Sequence, residues 1–112
     1  MSVNIPIESL KKIQKHRFIL RKIANAKPQA RKKMLMAAPN PLLTVLKLIC
    51  KLIVDGKVKV GRAKRHRKLI NEIKGTNSST IKTLSTQRGG AIGAILSAVL
   101  PFLSPLISKI FK

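Results

Sequence analysis

Apolar residues recur at helical spacing through most of this chain. In the first stretch, Leu10, Ile13, Leu20 and Ile23 share one stripe, as expected of an amphipathic helix. The same spacing predicts four helices in the first two thirds of the chain, over residues 7–26, 29–38, 42–54 and 62–74. No stretch shows sustained alternation with a period of two, which a half-buried strand would require. The pattern therefore predicts an all-α protein, a small helical bundle of about four helices.

Turn residues divide the predicted helices. Lys27-Pro28 separates the first helix from the second, and Asn40-Pro41 provides a capping residue and a first-turn proline for the third. Asp55-Gly56 is suited to end the third helix. Because that helix is apolar around most of its circumference, we expect it to be the central helix of the bundle.

The composition divides the chain into three parts. Residues 1–75 form a predicted basic helical domain. Residues 76–88 are rich in Ser, Thr and Asn, and predict a linker or a marginal short helix. Residues 89–112 are an apolar tail with no charged side chain from Gly89 to Ser108. The tail is long enough as a helix to span ~36 Å, against a hydrocarbon core of ~30 Å.

Small or polar residues form a narrow stripe on the tail, at Ser97, Pro101, Ser104, Ser108 and Lys112. This arrangement suits a helix lying in a membrane interface, a self-associating bundle of tails, or a last core helix packed on the basic domain. In the first case, the membrane-contacting face would consist of Ile95, Leu96, Val99, Leu100, Phe102, Leu103, Leu106, Ile107, Ile110 and Phe111.

Charge is the strongest indicator of a partner. The chain has 24 lysines and arginines against three acidic residues, for a formal net charge of +21. This excess favours an anionic partner, most simply nucleic acid or an anionic membrane. Aromatic residues make up 3% of the chain, with no Trp or Tyr, so binding by base stacking is not expected.

The densest basic run, over residues 62–68, is the best candidate for phosphate contact, although a nuclear import signal or a solvated helix face would have the same composition. Nothing in the sequence indicates base reading. The candidate nucleic-acid-binding residues are Arg62, Lys64, Arg65, Arg67 and Lys68, with Arg31, Lys32, Lys33, Lys11, Lys12 and Lys15 as secondary contacts.

Few side chains are suited to catalysis or metal binding. Cys50 is the only cysteine and lies in an apolar run, so we expect a buried thiol. His16 lies on the stripe of the first helix and is expected to be a partly buried residue at the edge of the core. Neither it nor His66 has Cys or carboxylate neighbours at ligand spacing. We expect no enzyme activity, no metal and no cofactor.

The junction Arg88-Gly89-Gly90, with the Ile/Leu/Pro-rich tail that follows it, resembles the carboxy-terminal half of the adenovirus core protein X (mu precursor) family. The front half, with Ala26-Lys27-Pro28 and the Arg-His-Arg-Lys helix, looks like small late proteins of adintoviruses and Maverick or Polinton elements. The basic segment here is lysine-rich, whereas that of mu-type proteins is arginine-rich.

The resemblance implies a virion core protein that condenses double-stranded DNA and is cut by a viral protease between Gly90 and Ala91. Gln87 departs from the family pattern, in which Met, Ile or Leu is commoner. The implied location is the virion or the host nucleus, with membrane or capsid proteins as partners of the tail. The alternative is a membrane-active accessory protein whose basic half binds anionic lipid.

Overall fold

The computed structural model of the chain describes residues 5–58 and 61–110, with the backbone alone at residues 62–64 and 110. The described residues are helical, with no strand among them, which confirms the all-α prediction. They form more helices than the predicted four and a tail. The elements are α1 (Ile7–Lys15), α2 (Arg17–Asn25), α3 (Pro28–Met36), α4 (Asn40–Val54), a 3₁₀ helix (Gly61–His66), α5 (Arg67–Lys74), α6 (Ser78–Gln87) and α7 (Gly89–Ile110).

The predicted first helix is divided into α1 and α2 at His16. The backbone there has φ −107° and ψ 11°, and the His16 N–H donates to the Ile13 carbonyl at 3.1 Å, one residue short of the α-helical partner. The bend allows α1 and α2 to pack separately against α7. His16 is half-buried, which confirms its predicted place at the edge of the core.

Prolines separate α2, α3 and α4. Lys27 is extended, with φ −67° and ψ 154°, because Pro28 disfavours the helical conformation of the residue before it. Pro39 is likewise extended before α4. The prediction that Asn40 caps this helix was wrong: α4 begins at Asn40 itself, and no side chain caps its amino terminus.

The carboxyl end of α4 has the expected glycine. Gly56 adopts φ 76°, a conformation that L-residues with a side chain rarely take. The Gly56 N–H donates to the Ile53 carbonyl at 3.1 Å and the Lys57 N–H to the Leu52 carbonyl at 3.0 Å. These two bonds form a Schellman motif, which satisfies carbonyls that the helix would otherwise leave open.

The polar segment of residues 76–88 is mostly the helix α6. Asn77 caps it, since its Oδ1 accepts a hydrogen bond from the Thr80 N–H at 2.9 Å. Ile81 and Ser85 are buried, and Leu84 packs against the core. Of the two alternatives for this segment, the helix is the one that forms, because two apolar residues and a cap suffice once neighbouring helices cover one side.

The apolar tail forms α7, which packs within the bundle against α1, α2, α3, α6 and the 3₁₀ helix. The expectation that α4 would be the central helix is therefore corrected, because α7 contacts more of the other elements. Pro101 and Pro105 lie inside α7 but are exposed, so the carbonyls that lose helical partners face solvent. Ser97 and Ser108 share this exposed side.

Cys50 is buried, as predicted, and its burial raises the pKa of the thiol from 9.0 to about 12. Because the thiolate is the reactive form, we expect the folded protein at pH 8 to react with a disulfide reagent about a thousandfold more slowly than the protein unfolded in guanidinium chloride. Absorbance of the released thiol measures the rate. Equal rates in the two states would show that α4 opens readily.

Candidate nucleic-acid interface

The basic run of residues 62–68 crosses the junction between the 3₁₀ helix and α5. The sequence predicted one continuous helix here, but His66, with φ −111° and ψ 25°, marks a change of helix type. Arg65, Arg67 and Lys68 are exposed. The side chains of Arg62 and Lys64 lie outside the described residues.

Apolar side chains hold this basic run in place from beneath. Leu69, Ile70 and Ile73 are buried, and they pack α5 against α4 and α6. The 3₁₀ helix packs against α7. The cations therefore project from a backbone fixed on both sides of the junction.

A cleft lies beside the basic run and is lined by Arg65, His66, Lys68 and Arg88. Arg88 is the residue between α6 and α7. We call this the basic cleft; its volume is about 450 Å³, and Leu69 and Ala91 supply the apolar part of its lining. The three cationic side chains are exposed at its rim, and His66 is half-buried.

Arg88 is the residue of the cleft that the sequence analysis did not find. In the sequence it marks only the boundary of the tail, because it lies 20 positions after Lys68 and no helical pattern links the two. Contact between the 3₁₀ helix and α7 brings this boundary to the basic run. The concentration of arginine and lysine around one concave site fits phosphate oxygens, which guanidinium groups bind in bidentate fashion.

Arg31, a predicted secondary DNA contact, has another role. It is half-buried, and its Nε–H donates to the Ile23 carbonyl at 2.9 Å. Its Nη2 donates to the carbonyls of Ala24 at 3.2 Å and Ala26 at 2.9 Å, and its Nη1 to that of Gly89 at 3.4 Å. We therefore remove Arg31 from the candidate DNA contacts, since its donors are engaged within the protein.

The close approach of Arg31 to α7 depends on glycine. A Cβ at Gly93 would lie 2.5 Å from Arg31 Cζ, and one at Gly89 would lie 3.6 Å from Arg31 Cδ. The guanidinium thus lies across the start of α7 where two side chains are missing. Arg31 links α3 to the carboxyl end of α2 and to the first turn of α7.

The remaining predicted cations lie away from the basic cleft. They are exposed on α1 and α3, and comprise Lys11, Lys12, Lys15, Lys32 and Lys33. Exposed cations also occur on other helices, among them Arg21 on α2, Lys51 on α4 and Lys109 on α7. The positive charge is thus spread around the molecule.

The predicted membrane face of the tail is mostly inside the bundle. Six of its side chains are buried and two are partly buried, while those of Ile110 and Phe111 lie outside the described residues. The buried ones are Ile95, Leu96, Val99, Leu100, Leu103 and Ile107, and the partly buried ones are Phe102 and Leu106. Membrane contact through this face would require α7 to leave the bundle.

The predicted cleavage site lies in the first turn of α7. Gly90 is exposed and Ala91 is half-buried. A protease cuts the transiently opened form of such a segment. Cleavage between these residues therefore requires the start of α7 to unwind.

By length and composition, α7 could cross a membrane. The stretch Gly89–Lys109 contains an 18-residue window of mean hydropathy 2.0, of which 44% is buried within the protein. A buried core helix of a soluble protein has the same composition. Among the described residues, no group of three or more His, Cys, Asp or Glu side chains could hold a metal ion.

The fold and its basic cleft define a small all-helical protein with a strongly cationic surface. Comparison with protein-family models, with curated proteins and with solved structures gives no match.

Proposed function

We propose that this chain binds and condenses double-stranded DNA without reading its sequence. The observation that carries the proposal is the surface charge: even if all three carboxylates were paired, the 24 lysines and arginines would leave an excess of 21 cations. Phosphate contacts of this kind release counterions and give strong, salt-sensitive binding. The basic cleft is the preferred contact site.

The dimensions of the protein suit a duplex. Its longest extent is 37 Å. A duplex carries one charge per ~1.7 Å of axis, so this length of DNA bears roughly 20 negative charges. Because cations lie on several helices, a duplex bound on one side leaves others free for a second duplex. Such bridging favours condensation.

The resemblance to the adenovirus core protein X family suggests that this activity serves a virus-like particle. In that setting a small basic protein would neutralise packaged DNA. The location in a virion or host nucleus and the capsid partners of the tail belong to the same proposal.

The test is duplex binding by the intact chain as a function of salt, measured by fluorescence anisotropy. Between 50 and 200 mM salt we expect the affinity to fall by about 10³-fold or more, as it does for proteins with six or more phosphate contacts. Replacing Arg65, Lys68 and Arg88 with Ala should reduce the slope of log K against log salt by about 2 to 3.

A matched control removes the same charge elsewhere, through Ala substitutions at Arg21, Lys51 and Lys109, which are exposed and outside the cleft. A smaller effect of these changes supports the cleft as the preferred site. Equal effects would show that the cleft is not the preferred contact site, although DNA binding without sequence reading would still hold. A salt-independent affinity would contradict the proposed function itself.

A second candidate function is membrane activity, which the length and hydropathy of α7 favour. Under this hypothesis the basic surface attracts anionic lipid, and α7 leaves the bundle to enter the bilayer. Release of dye from anionic vesicles by the intact chain, at concentrations that do not condense DNA, would favour this function over DNA binding.

A further inference from the structure

A shallow groove runs between α2 and α3, on a part of the surface separate from the basic cleft. We call it the α2–α3 groove; its volume is about 560 Å³. Its lining is largely apolar and includes Phe18, Ala26, Ala30 and Met34. The DNA-binding proposal does not use this apolar surface, and of its residues Met34 also packs against the core.

Phe18 is the most unusual side chain of the groove. It is 71% exposed, more than any other large hydrophobic residue in the described part of the chain. The guanidinium of Arg17 lies 5.6 Å from the centroid of its ring, which is cation–π distance. An aromatic ring presented at the edge of a groove is typical of an anchor residue in a protein interface.

The walls of the groove are held in place before any partner arrives. Arg31, on α3, donates to the carbonyls of Ile23, Ala24 and Ala26 at the end of α2. These bonds fix the end of α2 relative to α3. Binding would therefore require little ordering of the protein, which lowers its cost.

The rim of the groove is cationic. Arg21 and Lys22 are exposed and line it, and Arg17 lies beside Phe18. An apolar floor with a positive rim is complementary to a segment that has an apolar stripe flanked by carboxylates.

From these observations we propose that the α2–α3 groove binds an acidic amphipathic helix of another protein. A helix suits the groove because each wall is a helix of 9 residues, about 13 Å long, or roughly two and a half turns. A second copy of this chain does not fit, since it brings 21 excess positive charges and only three carboxylates. A phosphate backbone could contact the cationic rim but would leave the apolar floor uncovered, whereas an amphipathic helix would cover both.

The test uses the intact chain and a labelled synthetic peptide of about 18 residues, long enough to form a helix. The peptide carries leucines along one face and glutamates elsewhere. Anisotropy is measured above about 0.15 M salt, where contacts between distant surface charges are screened. We expect Phe18→Ser to weaken binding about tenfold or more, as loss of an interface anchor does, and Phe18→Leu to restore most of it.

Ile7→Ser is the matched control, because Ile7 is 55% exposed and does not line the groove. It should leave peptide binding unchanged, and an isomeric peptide with its leucines dispersed around the helix should bind poorly. Equal effects of the Phe18 and Ile7 changes, or equal binding of the two peptides, would overturn the proposal. The proposal would also be overturned if Phe18→Ser abolished binding to anionic vesicles but left peptide binding unchanged. In that case the groove would be a lipid contact.

The outcome is separable from DNA binding. Phe18→Ser removes no charge, so its affinity for duplex should equal that of the unaltered chain. If neither the unaltered chain nor the Phe18→Ser variant binds duplex, while the unaltered chain binds the peptide, only the proposed function is contradicted.

Discussion

A chain that ends at Gly90 should not fold. Without the rest of α7, we expect no cooperative thermal transition by circular dichroism and no protected core amides in hydrogen exchange. Seven of the 27 buried apolar residues of the described core lie on this helix. At ~1.5–3 kcal/mol for each buried side chain, their loss removes roughly 10–20 kcal/mol. A domain of this size has only about 5–15 kcal/mol of net stability.

The control retains α7 and changes its exposed side. Ser97→Ala and Ser108→Ala, at exposed positions, should shift the free energy of unfolding by less than about 0.5 kcal/mol. A chain ending at Gly90 that unfolds cooperatively with an unchanged midpoint would contradict this arrangement, and would make α7 an appendage. If instead the chain ending at Gly90 is unfolded, proteolysis between Gly90 and Ala91 would convert the folded bundle into an open, cationic chain.

The second large effect concerns Arg31 and Gly93. The effect on stability of a substitution at one of these residues should depend strongly on which residue occupies the other position. Arg31→Ala removes four hydrogen bonds to backbone carbonyls, and hydrogen bonds to charged groups contribute about 1.5–3 kcal/mol each. Because the site is only half-buried and water can reach the freed carbonyls, we expect a smaller total loss of stability, about 3 kcal/mol. A Cβ at position 93 would lie 2.5 Å from the Arg31 guanidinium carbon and would move the guanidinium away from the carbonyls that it binds. Gly93→Ala should therefore cost about 2 kcal/mol through these lost hydrogen bonds. In the Arg31→Ala background the same change should be neutral or stabilising, since alanine favours helix over glycine.

Denaturant unfolding of the two single variants and the double variant measures this coupling. Lys32→Ala, on the exposed side of α3, removes the same charge and should change stability by less than about 0.5 kcal/mol. Arg31→Lys retains the charge but lacks the planar group with five donors. We therefore expect it to destabilise the protein nearly as much as Arg31→Ala does. Additive effects of Arg31→Ala and Gly93→Ala would mean that the two residues do not meet.

Much of the helical content follows from local pattern. Pro28, Pro39 and Gly56 act at helix ends through backbone restrictions that any chain with these residues would have. Leu69, Ile70 and Ile73 are buried because their spacing places them on one face of α5. Cys50 is buried because it lies in the apolar run of α4.

The bend at His16 and the helix α6 were not predictable in the same way. No proline or glycine occurs near His16, and the apolar stripe continues through it, so only packing of α1 and α2 against α7 explains the break. Helix α6 has two apolar residues and many Ser and Thr. Its stability depends on neighbours such as α3 and α4, which local composition does not reveal.

The candidate site depended equally on long-range contacts. Arg65 and Lys68 were found because they form part of a dense basic run. Arg88 joins them only through the packing of the 3₁₀ helix on α7. The bonds of Arg31 could not be predicted from its charge, because a lysine and an arginine are alike as charges, whereas only the guanidinium can bond several backbone carbonyls at once.

The position of α7 has a consequence for synthesis of the protein. The ribosome makes α1 to α6 first, yet α1, α2 and α3 pack against α7. The nascent chain therefore cannot bury these surfaces until α7 has left the exit tunnel. Until α7 emerges, the apolar faces of α1, α2 and α3 that it covers stay exposed, so these helices are the part of the nascent chain most open to aggregation.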